Sequence, residues 1–265
     1  MVQGGAYVTV VALHRMRPGQ AGAAMTHVAQ HYAEPRAIVI LSPHWLTQRP
    51  AVSVSRELET IHDFYGFDRA LYDIQYPASG CPEAAEEVIE ALQAAGMEVD
   101  RAERGLDHGA WTPLRQMFPA ADVPVVSVSV QPQLGPRHAY AVGLALAPLV
   151  AKGLFIIGSG NITHNLGDWR MAQMSGSGVP AYVNRFADWI EQQLQAGDTE
   201  SLLNYRSLQP DGVRAHPSDE HLLQALAGIA RRPDARLSSE TAGGMIDRLS
   251  ILALKIHHMR LQTKR

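Results

Sequence analysis

The stretch AIVILSPHW, residues 37–45, runs from an apolar segment directly into a proline, a histidine and a tryptophan. An unbroken run of aliphatic and β-branched residues of this length predicts a strand that is buried on both faces. Three further runs have the same character, namely YVTVVAL at 7–13, VPVVSVSV at 123–130 and GLFIIGSG at 153–160. The sequence therefore predicts a central sheet whose middle strands are covered on both sides.

Helical patterns separate these runs. CPEAAEEVIEALQAAG, residues 81–96, has Pro82 in its first turn and Gly96 at its end, which are typical start and stop signals of a helix. The stretches at 137–150 and 179–197 are amphipathic in the same way. Strands that alternate with helices predict an α/β fold, which we expect to form one domain over residues 1–265 with a mixed sheet flanked by helices on both faces.

Composition narrows the classes of partner. The chain has 265 residues, a formal net charge of −3 and a sequence pI near 6.4, so electrostatics favours neither nucleic acid nor an anionic membrane surface as a partner. The first apolar run is too short to span a membrane. The single cysteine, Cys81, excludes an intramolecular disulfide and fits the cytoplasm, which is the expected location. A homo-oligomer is compatible with this composition.

Histidines follow three of the predicted strands. His44 comes two residues after AIVILS, His14 comes directly after YVTVVAL, and His164 lies four residues beyond GLFIIGSG. In open α/β sheets ligands collect at the carboxyl ends of the strands, so we expect these side chains to converge on one crevice. Neutral imidazole binds iron, zinc and copper alike, and the sequence thus indicates a metal site at this edge.

The stretch AHPSDEHL, residues 215–222, adds two more histidines. Pro217 and the acids after it predict a helix from about 217 to 228, with His216 just before it and His221 within it. Five residues separate the two histidines, so they do not share a helix face as the pair of an H-E-x-x-H protease does. Either one could join His14 and His44, or serve as a structural cap.

Two glycine-containing stretches bring further polar groups. In GLDHGAWTPL, residues 105–114, the glycines favour either a fixed, exposed loop position for His108 or an ordinary turn that is capped by Asp107. In GSGNITHNLGDW, residues 158–169, the glycines predict a close approach of the backbone to a ligand, with Asn161, Thr163 and Asn165 orienting His164. No Gly-Lys-Ser/Thr follows, which argues against a nucleotide loop. The remaining histidines on helical or terminal patterns are interpreted as solvated or locally hydrogen-bonded: His27, His31, His138, His257 and His258.

Five motifs in this order, LSPHW, TIHDFYGF, GLDHGAW, GSGNITHNL and AHPSDEHLL, resemble the class III extradiol ring-cleavage dioxygenases of the LigB superfamily, in particular the 4,5-DOPA extradiol dioxygenase-like branch. The resemblance extends over residues 34–230. It implies an α/β fold with non-haem Fe(II), or Zn(II) in some members, at the open end of the sheet. It also implies a catechol-type substrate and O₂ as partners.

The resemblance implies roles for individual residues. His44, His221 and His14 would bind the metal, although the family usually has Ser-His-Gly-Ser-Pro where His14 is followed here by Arg-Met-Arg. Glu220, beside His221, is kept as an alternative ligand. His164 and His108 would be the acid/base pair. His216 and His62 match motif positions on the substrate side or in structural roles. Apart from the resemblance, four aromatic residues are expected to line a substrate pocket or to belong to the core: Trp45, Phe64, Tyr65 and Trp111.

Extradiol cleavage requires a metal with few protein ligands, because both catechol oxygens and O₂ need access to the same ion. A histidine, whose ordinary pKa is about 6.5, suits the accompanying proton transfer. Two other classes use the same residues. A metal-dependent hydrolase would activate water and would need no oxygen, and a non-catalytic binding protein would show no metal stoichiometry.

Overall fold

The computed structural model describes residues 7–12, 25–26, 29 and 35–229. Its centre is a six-stranded sheet with the strand order β1-β6-β2-β5-β3-β4. The strands are β1 (Tyr7–Ala12), β2 (Ala37–Leu46), β3 (Ala51–Ser53), β4 (Asp100–Ala102), β5 (Val125–Val130) and β6 (Leu154–Asn161). The four long strands coincide with the four apolar runs, so this part of the prediction is confirmed.

The direction of the strands determines which edge of the sheet carries their carboxyl ends. β1, β6, β2 and β5 run parallel to one another, whereas β3 pairs antiparallel with β5 and parallel with β4. The sheet is therefore mixed, as predicted, and the carboxyl ends of the four long strands lie along one edge. β5 and β6 are buried along their whole length, as expected for strands covered on both faces.

Nine helices occupy the described part of the chain. They are α1 (Pro82–Ala94), α2 (His108–Met117), α3 (Gly135–Leu146), α4 (Leu166–Ser175), α5 (Ala181–Ala196), α6 (Thr199–Leu203), α7 (Tyr205–Leu208), α8 (Gly212–Ala215) and α9 (Glu220–Ile229). The predicted helices at 81–96, 137–150 and 179–197 correspond to α1, to α3 with the 3₁₀ turn that follows it, and to α5.

Both faces of the sheet are covered. On one face α1 and α3 pack their apolar side chains onto β2, β5 and β6, and Ala227 of α9 joins this cluster. On the other face α2 and the segment from 58 to 78 form a second apolar cluster with Phe155 and Ile157 of β6. Leu222, Leu223 and Leu226 of α9 also reach a third cluster, built mainly by α5 to α8. The predicted arrangement, with helices on both faces, is confirmed.

Two glycines of β6 allow helix α9 to pack closely against the strand. A Cβ atom on Gly158 would lie 2.3 Å from the carbonyl oxygen of Gln224, and one on Gly160 would lie 2.1 Å from that of His221. The expectation that these glycines bring the backbone close to a ligand is therefore wrong. They bring a strand backbone close to a helix backbone, and this contact carries His221 to the edge of the sheet.

Helix α9 begins later than predicted. The sequence favoured a start near Pro217, but the helix begins at Glu220, and the carbonyl of Asp219 accepts the backbone N–H groups of Leu222 and Leu223. The Asp219 carboxylate is fixed by the Tyr205 hydroxyl at 2.7 Å and by the Arg206 guanidinium. These tertiary contacts hold residues 217–219 outside the helix, in a way that the local pattern does not reveal.

Candidate active site

His44 lies inside an irregular end of β2. The sequence suggested a strand that stops before it, but β2 continues to Leu46, and its register against β5 shifts between Leu41 and Leu46. The shift turns the strand out of the regular ladder, as β-bulges near active sites do. The backbone N–H of His44 lies 3.3 Å from the Ser42 hydroxyl, which itself donates to the carboxylate of Asp107.

His108 is the first residue of helix α2. Asp107 is the N-cap, and its side chain accepts the backbone N–H of Ala110 at 3.2 Å. His108 is only 7% exposed, so the expectation of an exposed loop position is wrong. Gly109 permits the close packing here, because a Cβ atom on it would lie 2.7 Å from the His44 ring.

His164 and His221 meet at the ends of β6 and α9. His164 follows β6 by three residues, and its backbone N–H donates to the carbonyl of Ala215 at 2.9 Å. Its ring stacks on the ring of His221, with centroids 3.5 Å apart and an interplanar angle of 26°. The side-chain amide of Asn161, the last residue of β6, lies 3.4 Å from Nδ1 of the buried His221. Asn161 is thus placed to orient His221 rather than His164.

The four imidazole rings form a continuous row. The ring centroids of His108 and His44 are 3.9 Å apart, those of His44 and His221 are 5.4 Å apart, and His164 completes the row through its stacking on His221. Each half of the row includes a carboxylate. His44, His108 and Asp63 have ligand atoms within 4.8 Å of one another, and so do His164, His221 and Glu220. Imidazole nitrogens and carboxylate oxygens are donors that suit Fe(II) and Zn(II).

Asp63 was not singled out from the sequence. Its Oδ1 accepts both the backbone N–H and the Nδ1–H of His108 at 2.9 Å, and its Oδ2 lies 3.6 Å from Nδ1 of His44. Burial by itself would raise the pKa of Asp63, but the hydrogen bonds and charge of His108 outweigh burial and lower the pKa to about 2. Asp63 is part of the motif TIHDFYGF, but its partner His108 lies 45 residues farther along the chain, and no local pattern indicates that the two residues meet.

Glu220 occupies the opposite end of the row. Its Oε1 accepts the Ser218 hydroxyl at 2.9 Å and lies 3.8 Å from Nδ1 of His164. His14, the other expected ligand, lies outside the described residues. Strand β1 ends at Ala12, whose register partner on β6 is Asn161. The carboxyl end of β1 therefore lies beside the strand that leads to His164.

His216 is not part of this row. It is fully buried, its Nε2–H donates to the Ile162 carbonyl at 2.6 Å, and its ring packs against Phe186 and Tyr205. Burial lowers the pKa of His216 to about 3, even though the Ile162 hydrogen bond acts in the opposite direction. These contacts are those of a neutral histidine inside the apolar cluster behind α9.

The other expected substrate residues have different surroundings. His62 lies 2.8 Å from the Ile74 carbonyl and packs among Phe64 and Trp111. Trp45 is buried beneath the Arg104 guanidinium, 5.3 Å from its ring centroid, whereas Tyr65 is 88% exposed. Phe64 borders the row, with its ring perpendicular to that of His108 and the two ring centroids 5.6 Å apart.

A mixed α/β sheet with histidines and carboxylates grouped at its carboxyl edge has the position and the donor atoms of a metal site in an open-sheet enzyme. Residues 22–241 match the family model described as the catalytic LigB subunit of aromatic ring-opening dioxygenase, and the chain belongs to this family. Across the part of the chain that the structure describes, no helix is long and apolar enough to cross a membrane.

Individual relatives agree with this assignment. The chain is 39% identical over 208 residues to a 4,5-DOPA dioxygenase extradiol from Mirabilis jalapa, and the match covers 77% of each chain. It is 35% identical over 196 residues to a protein of the same name from Escherichia coli K12, covering 72% of this chain and 71% of the relative. The crystal structure of an uncharacterized protein from Escherichia coli K12 superposes with a TM-score of 0.65 at 28% identity, covering 79% and 80% of the two chains.

Proposed function

We propose that the protein is an extradiol dioxygenase that opens the aromatic ring of a small, DOPA-like catechol with O₂. The observation that carries this proposal is the row of four imidazoles with a carboxylate in each half, at the carboxyl edge of a LigB-family sheet. The relatives named as 4,5-DOPA dioxygenases support the substrate class. No feature of the row favours a hydrolase or a binding protein over this activity.

The metal would be held by His44 and His221, the two rings at the middle of the row, with His14 or Glu220 as the third ligand. The donor set fits the ion, because two imidazoles with a third imidazole or a carboxylate form the usual site of non-haem Fe(II) and also accept Zn(II). We propose Fe(II). When bound, such an ion supplies Lewis acidity toward a catechol hydroxyl and a route for electrons between the ring and O₂.

His164 would be the general base. Its ring stacks directly on a proposed ligand, and its side chain is 13% exposed, so it borders the space that a substrate bound at the ion would occupy. Histidine is the residue type that exchanges protons near neutral pH. Glu220, 3.8 Å from Nδ1, would stabilise the imidazolium that forms when His164 accepts a catechol proton.

His108 would act from the other end of the row. Its Nδ1 faces Oδ1 of Asp63 at 2.9 Å, so Nε2 would be the ring nitrogen that contacts O₂ or the substrate. Phe64 packs perpendicular to this ring and, with Asp63, limits its rotation. We propose that substrate contacts are made near Phe64 and His108. The positions of His216 and His62, each bonded to a backbone carbonyl, favour structural roles for both.

The test is oxygen uptake by protein that has been reconstituted anaerobically with Fe(II) and then given catechols, DOPA among them, while a ring-opened semialdehyde is followed by its yellow absorbance. We expect uptake and absorbance to rise together. Replacement His164→Ala should abolish both while leaving the bound iron nearly unchanged. Product formation without oxygen uptake, or iron binding without any turnover of catechols, would refute the proposed activity.

A further inference from the structure

We propose that Asp63 is a positioning residue that serves two imidazoles at once, the metal ligand His44 and the proton-transfer residue His108. This inference rests on the proposed function and assigns a role to the carboxylate of the half of the row that contains His44 and His108. One carboxylate faces Nδ1 of both rings, with its Oδ1 toward His108 and its Oδ2 toward His44.

The first arm fixes His108. Oδ1 of Asp63 also accepts the backbone N–H of His108, so it acts as the acceptor in the 2.9 Å contact, and this places the proton on Nδ1 of His108. In that tautomer Nε2 is the acceptor nitrogen of the ring. The second bond to the same oxygen, from the His108 backbone N–H at 2.9 Å, ties Asp63 to the first turn of α2. The orientation of the ring and that of the helix start are thereby coupled.

The second arm acts on His44. Nδ1 of His44 lies 3.6 Å from Oδ2, where a negative charge favours the Nδ1–H tautomer and leaves Nε2 for a metal. Metal-binding histidines commonly direct their other ring nitrogen to a carboxylate, and loss of that partner typically costs 10–100-fold in metal affinity or activity. Asp63 is 25% exposed at its side chain, which keeps it partly shielded from water beside the two rings.

The two arms are separable by substitution. Asp63→Asn retains one oxygen for the two bonds from His108 but presents an N–H₂ donor toward His44, so it should preserve the His108 tautomer and weaken metal binding. Asp63→Ala removes both arms. Asp68→Asn is the matched control, because Asp68 follows Asp63 by five residues and its side chain caps the 3₁₀ turn Arg69–Leu71 by accepting the Ala70 backbone N–H at 2.9 Å.

Two measurements separate positioning from simple loss of structure. Nitrogen NMR of histidine-labelled, metal-free protein reports the tautomer of each ring, and a chelator competition with Fe(II) or Zn(II) reports metal affinity. We expect wild type and Asp68→Asn to show Nδ1–H on His108 and equal affinity. Asp63→Asn should keep that signal with an affinity about 10–100-fold lower, and Asp63→Ala should lose both. A melting temperature recorded for each variant verifies that it is folded.

The outcomes distinguish the two proposals. If wild type binds no metal or opens no catechol, the proposed function fails. If wild type does both, while Asp63→Ala keeps the Nδ1–H signal of His108 and its full metal affinity, the role of Asp63 is refuted and the function stands. If Asp63→Ala is unfolded, Asp63→Asn alone decides the second arm, since unchanged metal affinity in that variant contradicts it.

Discussion

Replacement of Gly160 by alanine tests how the sheet delivers His221 to the row. The added Cβ would lie 2.1 Å from the His221 carbonyl oxygen, whereas such contacts essentially never fall below 3.0 Å. The first turn of α9 must therefore retreat by about 0.9 Å, a distance that follows from those two values. Overpacking of a well-packed interior costs about 1–3 kcal/mol. For a chain of this size, that corresponds to a melting temperature lower by about 2–12 °C.

The same retreat should affect the chemistry. Metal and catalytic groups need to be held within about 0.5 Å of their working geometry, and a shift of about 0.9 Å in the turn that carries His221 exceeds this. We expect Gly160→Ala to bind Fe(II) at least tenfold more weakly than wild type, on the scale of losses seen when the surroundings of a metal ligand are disturbed. Calorimetry and chelator competition measure the two effects.

Two glycines provide controls for this experiment. Gly158→Ala would push the same helix at Gln224, one turn farther from the row, with a contact of 2.3 Å. It should destabilise the fold to a similar degree with a smaller loss of metal affinity. Gly167→Ala meets only the side chain of Asn165, at 3.3 Å, and should be nearly neutral. If Gly160→Ala has the same melting temperature and the same Fe(II) affinity as Gly167→Ala, the reasoning about the helix contact is wrong.

Three further predictions concern the surroundings of the row. Burial lowers the pKa of His216 to about 3, so the neutral ring imposes no penalty on folding above pH 6.5. As the pH drops from 6.5 toward 3, the free energy of unfolding should fall by about 1.4 kcal/mol per pH unit, because only the unfolded chain takes up this proton. His216→Gln should flatten this part of the pH dependence, as measured by urea denaturation. Tyr205→Phe removes the 2.7 Å hydrogen bond to Asp219 and should lower the free energy of unfolding by about 1 kcal/mol in the same assay. An unchanged free energy of unfolding would mean that Arg206 alone is sufficient to hold Asp219. Metal at 100 times its Kd should stabilise wild type by about 2.7 kcal/mol, and His44→Ala should lose that gain.

The sequence predicted best where one local pattern was sufficient. The apolar runs at 37–42 and 153–160 gave buried strands, and Pro82 and Gly96 bounded a helix, because burial, φ preference and capping act over a few residues. The convergence of His44 and His164 on one edge followed from a rule of topology that needs only the strand ends, whereas the choice of His221 over His216 needed the fold.

The errors share a different physical cause. His44 lies inside β2 because of a register shift against β5, and α9 starts at Glu220 because Tyr205 and Arg206 hold Asp219. Each outcome is decided by a partner distant in the chain. Gly160 was interpreted as a ligand contact for the same reason, since a strand glycine admits any close neighbour and only the fold identifies which one.

Asp63 shows how these two kinds of information combine at the site. The row joins two halves with separate supports, one in which His44 and His108 share Asp63, and one in which His221 is carried by a helix seated on glycines. The histidines come from strand ends and helix starts, where sequence patterns are strong, but the groups that orient them are a loop acid and a strand glycine. Because orientation sets which ring nitrogen faces a metal, the residues with the weakest sequence signal are the ones that decide whether four nearby imidazoles function as one site.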